Sequence, residues 1–230
     1  MTHSVVSHAQ WLEARKAFLA KEKEFTHLRD ELAAKRRELP WERVDKAYGF
    51  DAAEGRVSLA DLFGKHSQLL VYHFMYGTDW TEGCPSCSFW ADNYNGVDIH
   101  LAHRDTALVV VSLAPLAKLD AYKKRLGWSF RWVSSAPSDF NVDFNVTLPV
   151  PKGDKANYNY DTVNFGTGEA PGLSAFRKGD DGAIYHTYST YSRGLDMFNG
   201  TYHMLDLTSK GRDEAGLPWP MAWVRRHDSY

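Results

Sequence analysis

Two apolar runs constrain this chain more than any other feature. SQLLVYHFMY (67–76) and TALVVVS (106–112) carry long stretches with almost no polar alternation. Such runs are the mark of strands buried on both faces, which occur where helices cover both sides of a parallel sheet. Between them lies a segment that opens on CPSC and continues as a helix, with Cys87, Trp90, Ala91 and Tyr94 on one side and Asn95-Gly96 bending or ending it. Strand, helix, strand is the unit that makes two parallel neighbours.

The rest of the chain extends that unit. Pro115 is placed to be the first residue of a helix ending at Gly127, and WSFRWVSS reads as a further strand. GLSAFRK and AIYHTYST flank a GDDG turn and read as an antiparallel hairpin; Leu195, Phe198, Tyr202 and Leu205 then recur at helical spacing. Upstream, YGFDAAEGRVSLADLFG gives two short strands around a turn and one helical turn starting at Ser58 or Leu59. Residues 8 to 39 read as one long helix, capped by Ser7 and stopped at Pro40, with Trp11, Leu12, Phe18, Phe25, Leu28, Leu32 and Leu39 broadly on one face. That face implies an arm packed on the domain or, alternatively, a contact with a second copy in a homodimer. Residues 136–170 lack periodicity, and a stretch of that length inside a domain is usually functional or mobile. The expected fold is α/β and thioredoxin-like, a central mixed sheet flanked by helices. It carries a helical extension over 1–40, a domain over 41–230, and an irregular insertion over 136–170 before the C-terminal β-hairpin.

Charge and hydropathy remove several function classes. With 230 residues, 43% of them hydrophobic, the chain can build a sizeable core. A formal charge of −2 gives no reason to expect nucleic acid or an anionic membrane surface as partner. No apolar run approaches the roughly 18 residues needed to cross a bilayer. The first residues lack the pattern of a secretory signal, so the expected setting is cytoplasmic.

In that compartment thiols are kept reduced, and a close cysteine pair is more often catalytic or metal-binding than a structural staple. Cys84 and Cys87 are the only cysteines. A cysteine at a helix N-terminus meets unpaired backbone N–H groups and the positive end of the helix dipole, which favour thiolate. A second cysteine one turn on can attack the resulting mixed disulfide. The spacing therefore assigns Cys84 as nucleophile and Cys87 as resolving thiol, with no cofactor required. The partner would be a disulfide-bearing protein or a small thiol or disulfide. Metal binding is the rival from another class, needing two further ligands from His73, His186 or His203; inert buried thiols are the bland one. His73, on an apolar strand, is more often a satisfied core residue than a ligand.

Three resemblances sharpen these expectations. YGTDWTEGCPSC resembles the peroxiredoxin active-site loop: Thr81 and Cys84 stand where that family has Thr and its reactive Cys, and Gly77 replaces its Pro. This implies a thiol peroxidase as an alternative, although the family's arginine has no match. APGLSAFRKG resembles the thioredoxin segment around a cis-proline, which implies a cis bond before Pro171 and a place for it opposite the dithiol. Almost end to end, from ARKAFLAKEKEFT through RRELPW, GCPSCS, LGWSFRWVSS, GLSAFRKGDDG and HTYSTYSRGLD to WVRRHD, the chain resembles a bacterial thioredoxin-like family, domain-of-unknown-function 899. That resemblance implies a dithiol–disulfide oxidoreductase. Around Cys84 and Cys87, the expected supporting residues are Thr81, Pro85, Pro171, His73 and Arg193, the last as a cation for a thiolate or an anionic substrate. Two polar clusters are candidates to line the cleft, Tyr188, Tyr191 and Arg193 on one side and Ser134, Ser135, Asp139, Asn141 and Asp143 on the other. Tyr158 and Tyr160 read as anchors for the long loop in preference to a lid.

Overall fold

The computed structural model describes residues 3–151, 154–164 and 168–230; the remaining few, at the start of the extension and within the 136–170 stretch, lie outside it. The chain divides into two units, Met1–Pro40 and Trp41–Tyr230. In the first, α1 (His8–Arg37) begins at a capping box: the Ser7 hydroxyl accepts from the Gln10 backbone N–H, and the Gln10 side chain accepts from the Ser7 N–H. Lys35, Arg36 and Arg37 fill its last turn, where positive charge suits the helix dipole. No helix among the described residues is long and apolar enough to cross a membrane.

The second unit runs β1 (Glu42–Arg43), β2 (Gly49–Ala52), β3 (Gly55–Ser58), α2 (Leu59–Leu62), β4 (Gln68–His73), α3 (Pro85–Asp92), α4 (Val97–Ala102), β5 (Thr106–Ser112), α5 (Leu116–Arg125) and β6 (Arg131–Ser134). It continues with α6 (Phe140–Asp143), β7 (Lys155–Tyr158), β8 (Asp161–Asn164), β9 (Gly172–Lys178), β10 (Ile184–Tyr191), a 3₁₀ helix (Ser192–Phe198) and α7 (Gly200–Leu205). Among the described residues, eight strands form one sheet in the order β1-β10-β9-β4-β5-β6-β2-β3. β4, β5 and β6 are parallel neighbours, while β9 pairs antiparallel with β4, and β10 with β9. Parallel strands joined through helices, with an antiparallel hairpin added on the far side of β4, are the thioredoxin-like arrangement.

The side-chain period of a strand decides which face each residue of β4 serves. Tyr72, and Phe74 just beyond the strand, join Cys87, Phe89, Trp90, Tyr94, Tyr122, Trp128 and Trp132 in one buried cluster. Leu69 and Val71 join Phe50, Phe63, Phe140, Phe144, Phe176, Tyr158 and Tyr191 in another, on the opposite face. The cysteine helix α3 belongs to the first. It has no side-chain cap, an interaction that contributes about 1 kcal/mol. Burial of Phe89, Trp90 and Tyr94 contributes about 1.5–3 kcal/mol for each large side chain, so packing fixes this helix. The Phe89 and Trp90 rings meet Tyr202 edge-on at 5.3 and 5.7 Å, and the Trp90 indole N–H donates to the Leu195 carbonyl at 2.8 Å.

Several local expectations need correction. The apolar stripe from Leu195 to Leu205 is not one helix. Asn199 leaves helical geometry and caps α7, its side chain accepting from the Tyr202 N–H, so a 3₁₀ helix and α7 meet there. Pro115 is the cap of α5, one place before the first helical residue. The stretch expected to be irregular contains α6 and the β7–β8 hairpin, and it supplies Phe140, Phe144, Val146, Leu148, Ala156 and Tyr158 to the second core.

Candidate active site

Backbone pairing carries the chain from β4 to the first cysteine. The Phe74 N–H donates to Val111, the Ala114 N–H to Tyr76 (2.8 Å), and the Cys84 N–H to the Met75 carbonyl (3.1 Å). Residues 77–83 thus form a loop returning to the end of β4. Gly83 closes it against two rings; a Cβ there would lie 2.7 Å from Phe74 and 3.1 Å from Tyr122. Cys84 is the N-cap of α3, and Pro85 occupies its first turn, where the missing N–H costs nothing. The Ser88 hydroxyl and N–H both donate to the Cys84 carbonyl at 2.9 Å, locking the first turn.

The two thiols sit in unlike surroundings. Cys84 is half-buried and Cys87 fully buried, and both are free. The Cys84 pKa is lowered to about 7, chiefly by a hydrogen bond from the Cys87 thiol; burial opposes this, and the Cys87 and Ser86 backbone N–H groups and Ser86 side chain assist. Cys87 is pushed well above the ordinary thiol range, by burial first and by Cys84 next. The Cys87 sulfur accepts a hydrogen bond from the Met75 N–H at 3.5 Å. Cys84 should therefore alkylate faster than Cys87 with iodoacetamide, with its rate half-maximal near pH 7. Equal rates at the two thiols across a pH titration would contradict the asymmetry.

Three cations hold the loop from outside. The Lys118 ammonium, on α5, donates to the carbonyls of Thr78 (2.8 Å) and Trp80 (3.0 Å). Arg226 donates to the Gly83 carbonyl (2.8 Å) and the Tyr122 hydroxyl (2.7 Å), and its guanidinium lies 2.9 Å from Glu82. Arg125 adds a second ion pair to Glu82 and holds Asp228 at 2.6 Å. Sequence reading missed Arg226. Its signal was WVRRHD, an Arg-rich aromatic segment far from any other chemistry-bearing residue.

The expected supporting residues scatter. Thr81 is exposed; its carbonyl accepts from the Tyr76 hydroxyl at 3.2 Å, while its own hydroxyl makes no hydrogen bond to Cys84 among the described residues. Arg193 does not face the dithiol: its side chain is 83% exposed and pairs with Asp196 at 2.8 Å, because it lies in the first turn of the surface 3₁₀ helix. His73 serves the opposite face of the sheet, stacked on Phe140 and Phe144. Its Nε2 is 2.8 Å from Ser174 Oγ, and a chain continues through Ser189 (2.7 Å) to His186 Nε2 (2.7 Å). Burial lowers its pKa to about 3, so it is a neutral core histidine. His203 is exposed beside the Met197 carbonyl. No group of three or more His, Cys, Asp or Glu among the described residues is arranged to hold a metal ion.

The Ala170–Pro171 bond is trans, which corrects the cis expectation and removes the alignment with the thioredoxin proline. Just before it, Glu169 forms an antiparallel bridge with Thr147, and the Ala170 N–H donates to Val146 at 2.8 Å. The segment is thereby extended into β9, where the ordinary trans form suffices. Tyr158 is an anchor: its hydroxyl donates to the Pro171 carbonyl (2.8 Å) and accepts from the Ser192 N–H (3.0 Å). Tyr160 likewise bonds the Ser189 carbonyl at 3.0 Å. Asp139 and Asp143 bind Lys46 at 2.9 and 2.6 Å. Asp143, Tyr48, Tyr191 and His186 line a cavity of about 450 Å³ to which neither cysteine contributes.

A family model described as "Bacterial protein of unknown function (DUF899)" matches residues 1–230. The chain belongs to the DUF899 family. No curated protein matches it. Among solved structures, this family member is similar to peroxiredoxin Q of Xanthomonas campestris, at 12% identity over 71% of this chain and 93% of that one, with a TM-score of 0.49. It is also similar to peroxidoxin BcpB of Mycobacterium tuberculosis, at 12% identity over 74% and 99% of the two chains and a TM-score of 0.46. StoA of Bacillus subtilis follows at 13% identity over 70% and 99%, with a TM-score of 0.41. Likeness this distant says nothing about chemistry.

Proposed function

We propose that the protein is a dithiol–disulfide oxidoreductase that cycles a Cys84–Cys87 disulfide. The observation that carries this is the inequality of the pair. One sulfur is half-buried with its pKa lowered to about 7, and the other is buried one turn away, hydrogen-bonded to the first. A nucleophile works best when its pKa is near the ambient pH, and a resolving thiol works best shielded from outside partners. Cys84 attacks one sulfur of a disulfide and releases the other as thiolate. Cys87 then attacks Cys84, forming the intramolecular disulfide and releasing the second thiol, so two electrons pass from the pair to the substrate. In the cytoplasmic setting expected from the sequence, a small-molecule thiol or reductase would return the pair to the reduced state.

The peroxide alternative has less support, since the Thr81 hydroxyl, which that reading needs beside the thiol, does not bond Cys84. The reduced protein should be offered oxidised glutathione, a protein disulfide or hydrogen peroxide in parallel, with Cys84–Cys87 disulfide followed by mass spectrometry. The expected result is rapid oxidation by at least one disulfide and sustained turnover when a dithiol reductant is present. Oxidation by peroxide alone would replace this reading with the peroxidase one.

A further inference from the structure

The disulfide-exchange reading leaves one step unexplained. Cys87 is buried, and its thiol proton is donated to the Cys84 sulfur. Once Cys84 is tied up in a mixed disulfide, that acceptor has lost its charge, yet Cys87 must become a thiolate to attack. Something in the pocket has to favour the anion. Two donors are in place. The Met75 N–H is 3.5 Å from the Cys87 sulfur. The Tyr72 hydroxyl, on β4 and wholly buried, donates a long hydrogen bond to the carbonyl of Cys87 itself at 3.5 Å, in the same buried cluster as the Cys87 side chain, and its nearness favours the thiolate.

We propose that the Tyr72 hydroxyl is a catalytic group of the resolving step, donating its hydrogen bond to the Cys87 sulfur as that sulfur attacks Cys84. This rests on the disulfide-exchange reading and names the residue that completes it. The ionisable groups whose charges bear on Cys87 are Cys84 on α3, Tyr72 on β4, Tyr94 just beyond α3 and Tyr158 on β7. All three tyrosines are buried and held neutral, with pKa values raised by burial first; the Tyr158 hydroxyl donates to the Pro171 carbonyl on the other face of the sheet, which leaves Tyr72 and Tyr94, of the three, in the Cys87 cluster. Tyr94 adds an independent sign. Its hydroxyl is buried without a hydrogen-bond partner among the described residues, a state that costs stability, and its ring meets Tyr72 edge-on at 4.9 Å. A thiolate at Cys87 supplies the anion that this cluster of hydroxyls lacks in the resting state.

The step balances simply. The Cys87 thiol gives its proton to solvent, a Cys84–Cys87 S–S bond forms, the bond from Cys84 to the substrate sulfur breaks, and the substrate leaves as thiolate. The test uses the chromogenic disulfide dithiobis-nitrobenzoate at one equivalent per reduced protein. The first thionitrobenzoate reports attack by Cys84, and the second reports resolution by Cys87. Tyr72→Phe keeps the ring and its packing. It should leave the first release unchanged, slow the second about ten-fold, and move the pH midpoint of the second upward by about one unit, the effect of losing one hydrogen bond to a charged group. Tyr94→Phe should shift the second release in the same direction by less. A Tyr72→Phe protein whose second release matches wild type in rate and midpoint would overturn the proposal. Equal slowing of both releases would do so too, since that is what a structural role predicts. A single equivalent from wild type would overturn the disulfide-exchange reading together with it, because Cys87 would then resolve nothing.

Discussion

Cys84→Ser should lose disulfide exchange by roughly a thousand-fold or more, because no other sulfur in the chain stands at the helix start. Cys87→Ser should behave differently. It keeps Cys84 free to attack but has no thiol to resolve the product, so a mixed disulfide with the substrate accumulates and is visible on a non-reducing gel. Cys87→Ala adds a second contrast. The hydrogen bond from Cys87 is the largest cause of the low Cys84 pKa, so removing the donor should move the half-maximal pH of attack upward from about 7. A peroxidase would give another pattern, with Cys84 of the Cys87→Ser protein stopping as sulfenic acid and then over-oxidising. Metal released in parallel by either cysteine mutation, with no trapped disulfide, would point to a binding module.

The second large effect concerns stability and pH. Glu169 is 5% exposed, and its pKa is raised from 4.5 to about 7, by burial first; the Thr147 hydroxyl opposes the shift and nearby Asp79 adds to it. The folded protein therefore holds this proton more tightly than the unfolded chain. Its contribution is full below pH 4.5 and is lost as pH rises through about 7. His73, lowered to about 3, works in the opposite sense, losing stability as pH falls below 6.5. Because the two slopes oppose each other in mildly acidic solution, wild type alone does not isolate either. Glu169→Gln does: it should match wild type near pH 4 and exceed it by about 3 kcal/mol at pH 8, measured by urea unfolding. A gap independent of pH would mean that Glu169 ionises without cost.

The strands carrying the site were legible because burial on both faces leaves a composition that needs no partner to interpret. SQLLVYHFMY and TALVVVS became β4 and β5, with the cysteine helix between them. GLSAFRK and AIYHTYST likewise became β9 and β10, joined by the turn between them. Residues 136–170 misled because short elements there alternate too briefly to show a period; α6 and β7 are four residues each, and most partners of their aromatic side chains, such as Tyr48, Phe50, Phe176 and Tyr191, are distant in sequence. Arg193 was chosen for charge near aromatic residues in sequence, whereas the arginine that holds the loop, Arg226, is 143 positions from the Gly83 carbonyl it binds. Nothing local announces a contact of that separation. Pro171 shows the converse hazard: a short motif matched, but the backbone around it was already extended by the Thr147–Glu169 bridge.

The Arg226 contact also orders events in time. Ribosomes extend a chain at about 5–20 residues per second, so on the order of ten seconds separate the synthesis of Gly83 from that of the arginine that grips it. During that interval the Gly83 carbonyl and the Tyr122 hydroxyl lack their guanidinium, and Glu82 lacks one of its two cations. The strands are complete before then, as are α3 and its partners Leu195 and Tyr202, while Trp223, which packs on Phe89, arrives together with Arg226. The nucleophile is therefore born into an unfinished loop and takes its final setting late, when the segment around Arg226 clears the ribosome and docks.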